Sequence, residues 1–285
     1  MLKKRILAAL ASCLMAGALL VGCGDQSANT SEPANVKIGM IAGLNVSEQR
    51  LNETMHKLEE ISGIQMMSHT YVYYDSMNAM QMGLDAKDID EISTYSNVAK
   101  YMIGRKSNLE VIDAHKIQMP MSDNFCCAVK ADRSELLDAL NSAIKGMKDD
   151  GTFDKLTKQF IADQNDGAEP DAVEMPMIEG AETIKVAVTG DLPPLDLITA
   201  DGKPAGFNTA VLAEIGKRIS KNIELVSIES AARASALTSG AVDVVFWMRV
   251  TENSDMFPID FDRPDGVDVT ESYFSDEIVH IGMKK

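Results

Sequence analysis

From residue 36 onward, short β-like runs alternate with amphipathic helical runs, and this alternation constrains the fold of the 285-residue chain more than any other feature. A strand with one apolar face and a helix with one apolar stripe each need cover, so repeated alternation argues for α/β architecture. Val36–Ala42, Tyr71–Tyr74, Ile89–Thr94 and Asn124–Lys130 read as strands. Between them, Leu51, Met55, Leu58 and Ile61 share one helical face, Met77, Met80 and Leu84 share another, and Val98–Ile103 opens a third helix. Asn45 and Glu48 have capping-box spacing, and Asp75 or Ser76 caps the second helix. Ser134 is expected to cap a helix with Leu136, Leu137, Leu140, Ile144 and Met147 inward. Gly151 ends that helix, and Phe153–Ile161 forms a last short one.

Residues 164–182 break the pattern: they are acidic and carry two prolines and two glycines, so they read as a linker. A fresh α/β unit follows. Ile184–Thr189, Ile223–Ile228, Val242–Trp247 and Glu277–Met283 are expected strands, and Asp201-Gly202-Lys203 is a hairpin turn. Asn208 or Thr209 is expected to cap a helix with Val211, Leu212, Ile215 and Ile219, and Ala231–Leu237 forms another.

Before residue 36 the chain carries processing signals. Lys3, Lys4 and Arg5 precede the apolar run Ile6–Val21, and Leu20-Val21-Gly22-Cys23 matches a lipobox. Residues 1–22 therefore read as a signal peptide, too short for a membrane span, with Cys23 the lipid-bearing first residue of an extracytoplasmic, membrane-anchored chain. One acyl chain binds weakly, so stable tethering implies several on Cys23, palmitate-like in kind. Residues 23–35 are small and polar, a flexible spacer.

The formal charge of -16 becomes -19 once the three N-terminal cations are removed. Such a balance disfavours nucleic acid and adhesion to anionic lipid. Cys126 and Cys127 are adjacent in an apolar run, point to opposite faces of a strand and read as buried packing residues. The methionines, 18 in all, recur at helical core spacing rather than as ligand clusters. His56, His69, His115 and His280 show no metal spacing and no neighbouring nucleophile motif, so no metal, cofactor or catalytic residue is assigned.

Val186-Ala-Val-Thr-Gly-Asp-Leu-Pro-Pro194, Asp201-Gly-Lys-Pro-Ala-Gly-Phe207 and Leu237-Thr-Ser-Gly-Ala-Val-Asp243 together resemble the opening lobe of family 3 bacterial extracellular solute-binding proteins. Asp90–Tyr101 and Phe125–Phe160 resemble the remainder of the same family. The resemblance implies a two-lobed type 2 periplasmic-binding fold, each lobe a mixed sheet flanked by helices with a ligand cleft between. The order is inverted relative to the family, which suggests circular permutation. Lobe 2 would then be 36–122 completed by 276–285. Lobe 1 would be 183–275 with its C-terminal helices at 123–163, joined through 164–182, which can span roughly 60 Å. A domain-swapped dimer is the rival arrangement; a monomer is expected.

The resemblance also places a binding site. Gly190, Asp191 and Leu192 stand in the first-strand loop, Leu192 where an aromatic often stacks on ligand. Trp247, Met248 and Arg249 follow a strand, and Thr251 comes next without an arginine at the usual spacing; Arg249 is a possible substitute. Gly43, Leu44 and Asn45 precede a helix whose N–H groups could hold an anion. Thr94 and Tyr95 belong to the same lobe, Tyr95 standing where the family commonly has an aspartate for an α-ammonium. The expected function is binding of a small polar, amino-acid-like or organic-acid solute for an ABC permease, without enzymatic turnover. A sensory or accessory binder is the alternative, and a dehydratase-like enzyme a more distant one.

Overall fold

The structure, a computed structural model, describes residues 35–43, 46–54, 69–112, 122–164, 167–251 and 262–284, the side chains of 247–251 excepted. Residues 1–22, Cys23 and nearly all of the spacer lie outside these, as do Leu44, Asn45, Met55, Leu58 and Ile61.

Two main sheets, continuous with each other through one shared strand, build a two-lobed α/β fold, with a small third sheet besides. In the first, β1 (Val36–Ile41) pairs in parallel with β2 (His69–Tyr74) and β3 (Glu91–Tyr95). The last strand, β13 (Phe274–Met283), runs antiparallel to β3 and to β4 (Leu109–Val111). Helices α2 (Met77–Ala86) and α3 (Ser96–Arg105) cover this sheet. A short helix, α1 (48–54), precedes them.

In the second sheet the order is β10 (Asn222–Ser227), β6 (Thr183–Val188), β11 (Val244–Thr251), β5 (Ser122–Lys130), then β13 again. β12 (Val267–Val269) pairs with the far end of β5. The period-two alternation divides these strands between two covers. Cys127, Val129, Val186, Val188, Val244 and Phe246 join the core under α4 (Ser134–Asp149), α5 (Thr152–Thr157) and α6 (Phe207–Arg218). Cys126, Ala128, Ala187 and Val245 face α7 (Ser230–Thr238) through Leu237. The two free cysteines thus point to opposite faces, both buried, and burial pushes the Cys126 thiol up to about 12 and Cys127 higher still. They are inert packing groups.

The lobes are joined at β13. Phe274–Glu277 pair with Phe125–Ser122 of β5, and Ile278–Gly282 pair with Tyr95–Glu91 of β3. At the changeover the buried Asp276 accepts from Ser96 Oγ (2.6 Å), Asn97 Nδ2 (2.8 Å) and Asn97 N–H, so it caps α3 while its backbone leaves one lobe for the other.

Several local expectations need correction. Ser134 and Asn208 are helical residues rather than caps; Arg133 and Gly206 hold the N-cap positions. Gly206 has φ 99°, and a Cβ there would lie 2.6 Å from the Pro194 carbonyl, so only glycine fits the entry to α6. For α1, Ser47 Oγ accepts the Arg50 N–H and acts as the cap. The short helix after Gly151 gives way to a π-helical turn, Lys158–Ala162.

The segment read as a linker is docked. Val173 N–H donates to Pro204 O, Ala172 bridges Ala205, and Asn222 Oδ1 accepts the Ile178 N–H (2.7 Å). Ala205 ends β9 (Pro204–Ala205), which with β7 (Asp191–Leu192) and β8 (Asp196–Ile198) forms a small antiparallel sheet. An acidic, proline-bearing run can still bind along a lobe, because its backbone N–H groups find fixed acceptors.

Candidate ligand site

A cavity lies between the lobes, where carboxyl ends of β1 and β3 and the N-terminus of α2 meet the β6–β7 turn and the N-terminus of α7. Open α/β sheets place their ligand crevices at such strand ends. Its volume is about 90 Å3 and it opens to solvent.

The expected residues divide. Thr94, Tyr95, Asp191 and Leu192 line the cavity. Gly190, with φ 77°, turns the loop behind them, and a Cβ there would press on Ile198. Gly43 sits beside Asp262 at an outer recess with Val46, Ala231 and Pro264. Leu44 and Asn45 are outside the described residues. Trp247, Met248, Arg249 and Thr251 were expected at and after the end of a strand, but β11 continues through them, with Met248, Arg249 and Thr251 opposite Cys126, Phe125 and Asp123. The run Val244–Val250 is rich in β-formers and the nine-residue β5 supplies a partner along its length, so pairing extends past the expected end.

Other lining residues were not foreseen. Arg233 is 4% exposed, and its Nη2 donates to Ser230 Oγ (3.0 Å). The one signal for it was a long cation in an otherwise small-residue helix, Ser230–Leu237. Asp123 opens β5 and accepts from Tyr95 Oη (2.8 Å). Thr94 is 5% exposed, and its Oγ1 makes no hydrogen bond to any described residue. A buried hydroxyl left so costs about 1–3 kcal/mol unless something else bonds it.

Lobe-to-lobe contacts close the cleft. Asp191 accepts the Asn78 N–H (3.1 Å) and the Met77 N–H, while Ser76 Oγ accepts from Ala79 N–H, so the first turn of α2 is satisfied. Asp262 accepts the Val46 N–H (2.8 Å) just ahead of α1, close against Gly43. In return Ser230 donates through Oγ to Ala42 O (2.8 Å) and through N–H to Asp75 O. Burial pushes the Asp191 carboxyl upward, opposed by these N–H groups and by Arg233. Asp196, fully buried behind the turn, is also pushed up by burial, against hydrogen bonds from Thr189 and Gly190 and the field of Arg233. Among the described residues no group of His, Cys, Asp or Glu is placed to hold a metal ion.

The family model for bacterial extracellular solute-binding proteins, family 3, matches residues 184–279, and this supports a ligand-binding role. No curated protein matches the chain. Similar solved structures include the ligand-binding component of an ABC-type import system from Staphylococcus aureus with zinc bound, 10% identical over 87% of this chain with a TM-score of 0.45. The chain covers 66% of that protein. The alkanesulfonate-binding protein SsuA from Xanthomonas axonopodis pv. citri bound to MOPS is 11% identical over 89% of this chain and 67% of its own, TM-score 0.41. The effector-binding domain of QuiR in complex with shikimate is 8% identical over 88% of each chain, TM-score 0.40. At these identities none of them bears on which solute this chain holds.

Proposed function

We propose that this chain is a family 3 solute-binding protein, anchored outside the cytoplasm by lipid on Cys23, that closes around a small polar solute and presents it to an ABC permease. The observation that carries this reading is a cavity lined from both lobes, by Thr94 and Tyr95 on one side and Asp191 and Leu192 on the other. A closing clamp needs solute contacts on both sides, since only differential contact shifts an open–closed equilibrium. The apparent circular permutation belongs to the same reading, with 36–122 and the end of β13 as lobe 2; the pairing of β13 with β3, β4 and β5 supports it. The chain works as a monomer, without catalysis.

A thermal-shift screen against amino acids, oligopeptides, organic acids, amines and aromatic metabolites tests it. A true solute at a hundred times its Kd stabilises by about 2.7 kcal/mol, and its binding weakens at least tenfold in Tyr95→Ala or Trp247→Ala by calorimetry. A cooperatively melting protein that no class shifts would reject the reading.

A further inference from the structure

We infer that residues 167–182 are a strap, fixed along lobe 1, whose leading end clasps α3 of lobe 2 and so weights the balance between open and closed forms. This rests on the two-lobed clamp reading and adds a control remote from the solute.

On lobe 1 the strap is held along most of its length. Pro170 is buried, Asp171 O accepts the Gly206 N–H, and Val173 N–H donates to Pro204 O. Val173 and Met175 pack against the core. Asn222 then grips the backbone in both directions. Its Oδ1 accepts the Ile178 N–H (2.7 Å), and its Nδ2 donates to Ile178 O (3.0 Å) and Ala181 O (3.3 Å). A side-chain amide offers a donor and an acceptor side by side, so it can hold a passing peptide as a neighbouring strand would.

The leading end rests on lobe 2. Gly167 lies against the last turn of α3, where a Cβ on it would come within 2.5 Å of the Gly104 carbonyl carbon and 2.7 Å of Arg105 N. Its φ of 78° is a second reason for glycine there. Arg105 Nη1 donates to Gly167 O (3.4 Å), and the same guanidinium lies over the Tyr101 ring, 5.6 Å from its centroid. Burial raises the Tyr101 hydroxyl; Arg105 opposes this, and the field of Glu169 adds to it. Strap and helix are therefore close both in contact and in field.

The two ends answer differently to lobe motion. The bonds to Pro204, Gly206 and Asn222 stay within lobe 1, whereas α3 travels with β3 and β13 of lobe 2. Separating the lobes must break the clasp or peel the strap from its groove, and either loses contacts present in the closed form. A contact made in one state alone shifts the equilibrium toward that state by its own worth. Tyr101, Arg105, Gly167 and Glu169 do not line the cavity, so they act on solute affinity without touching solute.

Pulsed electron spin resonance on the solute-free full chain tests this. Spin labels go on Glu110→Cys in lobe 2 and Glu224→Cys in lobe 1, both exposed positions, while Cys126 and Cys127 are buried away from reagent. Gly167→Ala puts a methyl into the α3 backbone and strains a left-handed residue by an amount worth a factor of about 5–30. It should raise the ratio of long to short interlobe distances severalfold. Arg105→Ala should move the ratio the same way and serves should the first variant misfold. The double variant Asp191→Ala, Asp262→Ala, which removes contacts across the cleft itself, is the reference for opening. Distances lengthened in that reference but unchanged in both strap variants would overturn the strap inference and leave the clamp standing. Distances unchanged in all three would mean that the lobes do not part, and would overturn the clamp reading and this inference with it.

Discussion

Asp196 is fully buried behind the turn on which Asp191 stands, and it fixes that turn. Its Oδ2 accepts from both the Thr189 N–H (2.9 Å) and the Thr189 hydroxyl (2.7 Å). Burial raises its carboxyl more than these bonds lower it. A carboxyl raised in the folded state contributes stability that is fully present below its unfolded pKa, about 3.9, and lost as pH rises through the folded value. The wild-type chain should therefore gain on Asp196→Asn as pH falls from 7 toward 4.5. Urea midpoints of both proteins across that range measure it, and a constant difference would show that the group does not titrate there. Asp150 works in the opposite sense: Thr152 and Arg218 hold its carboxyl at about 2, so its contribution is present above the unfolded value and lost as pH falls from there through the folded one. It is common to both proteins and cancels from their difference.

At the scale of elements, α4 shows what periodicity can and cannot say. Leu136, Leu140, Ile144 and Met147 are buried as their spacing predicts, whereas Leu137 is only half-buried at the edge of the stripe. Ile144→Ala should cost about 2–5 kcal/mol and Leu137→Ala clearly less, since the cavity term scales with burial; chemical denaturation of the two variants separates them. Strands and amphipathic helices were legible because alternation and helical stripes are local properties of the chain. Thr94, Tyr95, Asp191 and Leu192 were legible through the family resemblance. Arg233, Asp123 and Asp262 were not, because nothing in their neighbourhoods records that a distant element lies opposite. The docking of 168–182 escaped for the same reason: its acceptors on Pro204 and Asn222 are fixed by tertiary structure. The length of β11 depended on β5 being long enough to pair with it.

For the molecule as a clamp, the closed arrangement is held by its own hydrogen bonds. Asp191 and Asp262 reach from one lobe to N–H groups of the other, and Ser230 returns two bonds. Each is worth about 1.5–3 kcal/mol at most when the acceptor is charged. Together they bias the clamp toward the closed form, and solute contacts on both lobes add to that bias. The double variant Asp191→Ala, Asp262→Ala should then populate the open form. Small-angle scattering of the solute-free proteins should show a larger radius of gyration for the variant, and one that shrinks when a bound solute is added. Identical radii would mean that closure does not depend on these carboxylates.

The shared strand has a consequence for how the molecule comes into being. β13 is the last strand along the chain, and it hydrogen-bonds with β3 and β4 on one side and β5 on the other. Until residues 274–283 have been synthesised, β3 and the first half of β5 present bare ladder edges, the kind that invite strand addition from a neighbour. Neither lobe's sheet is complete without residues 274–283, so their removal should destabilise both lobes together.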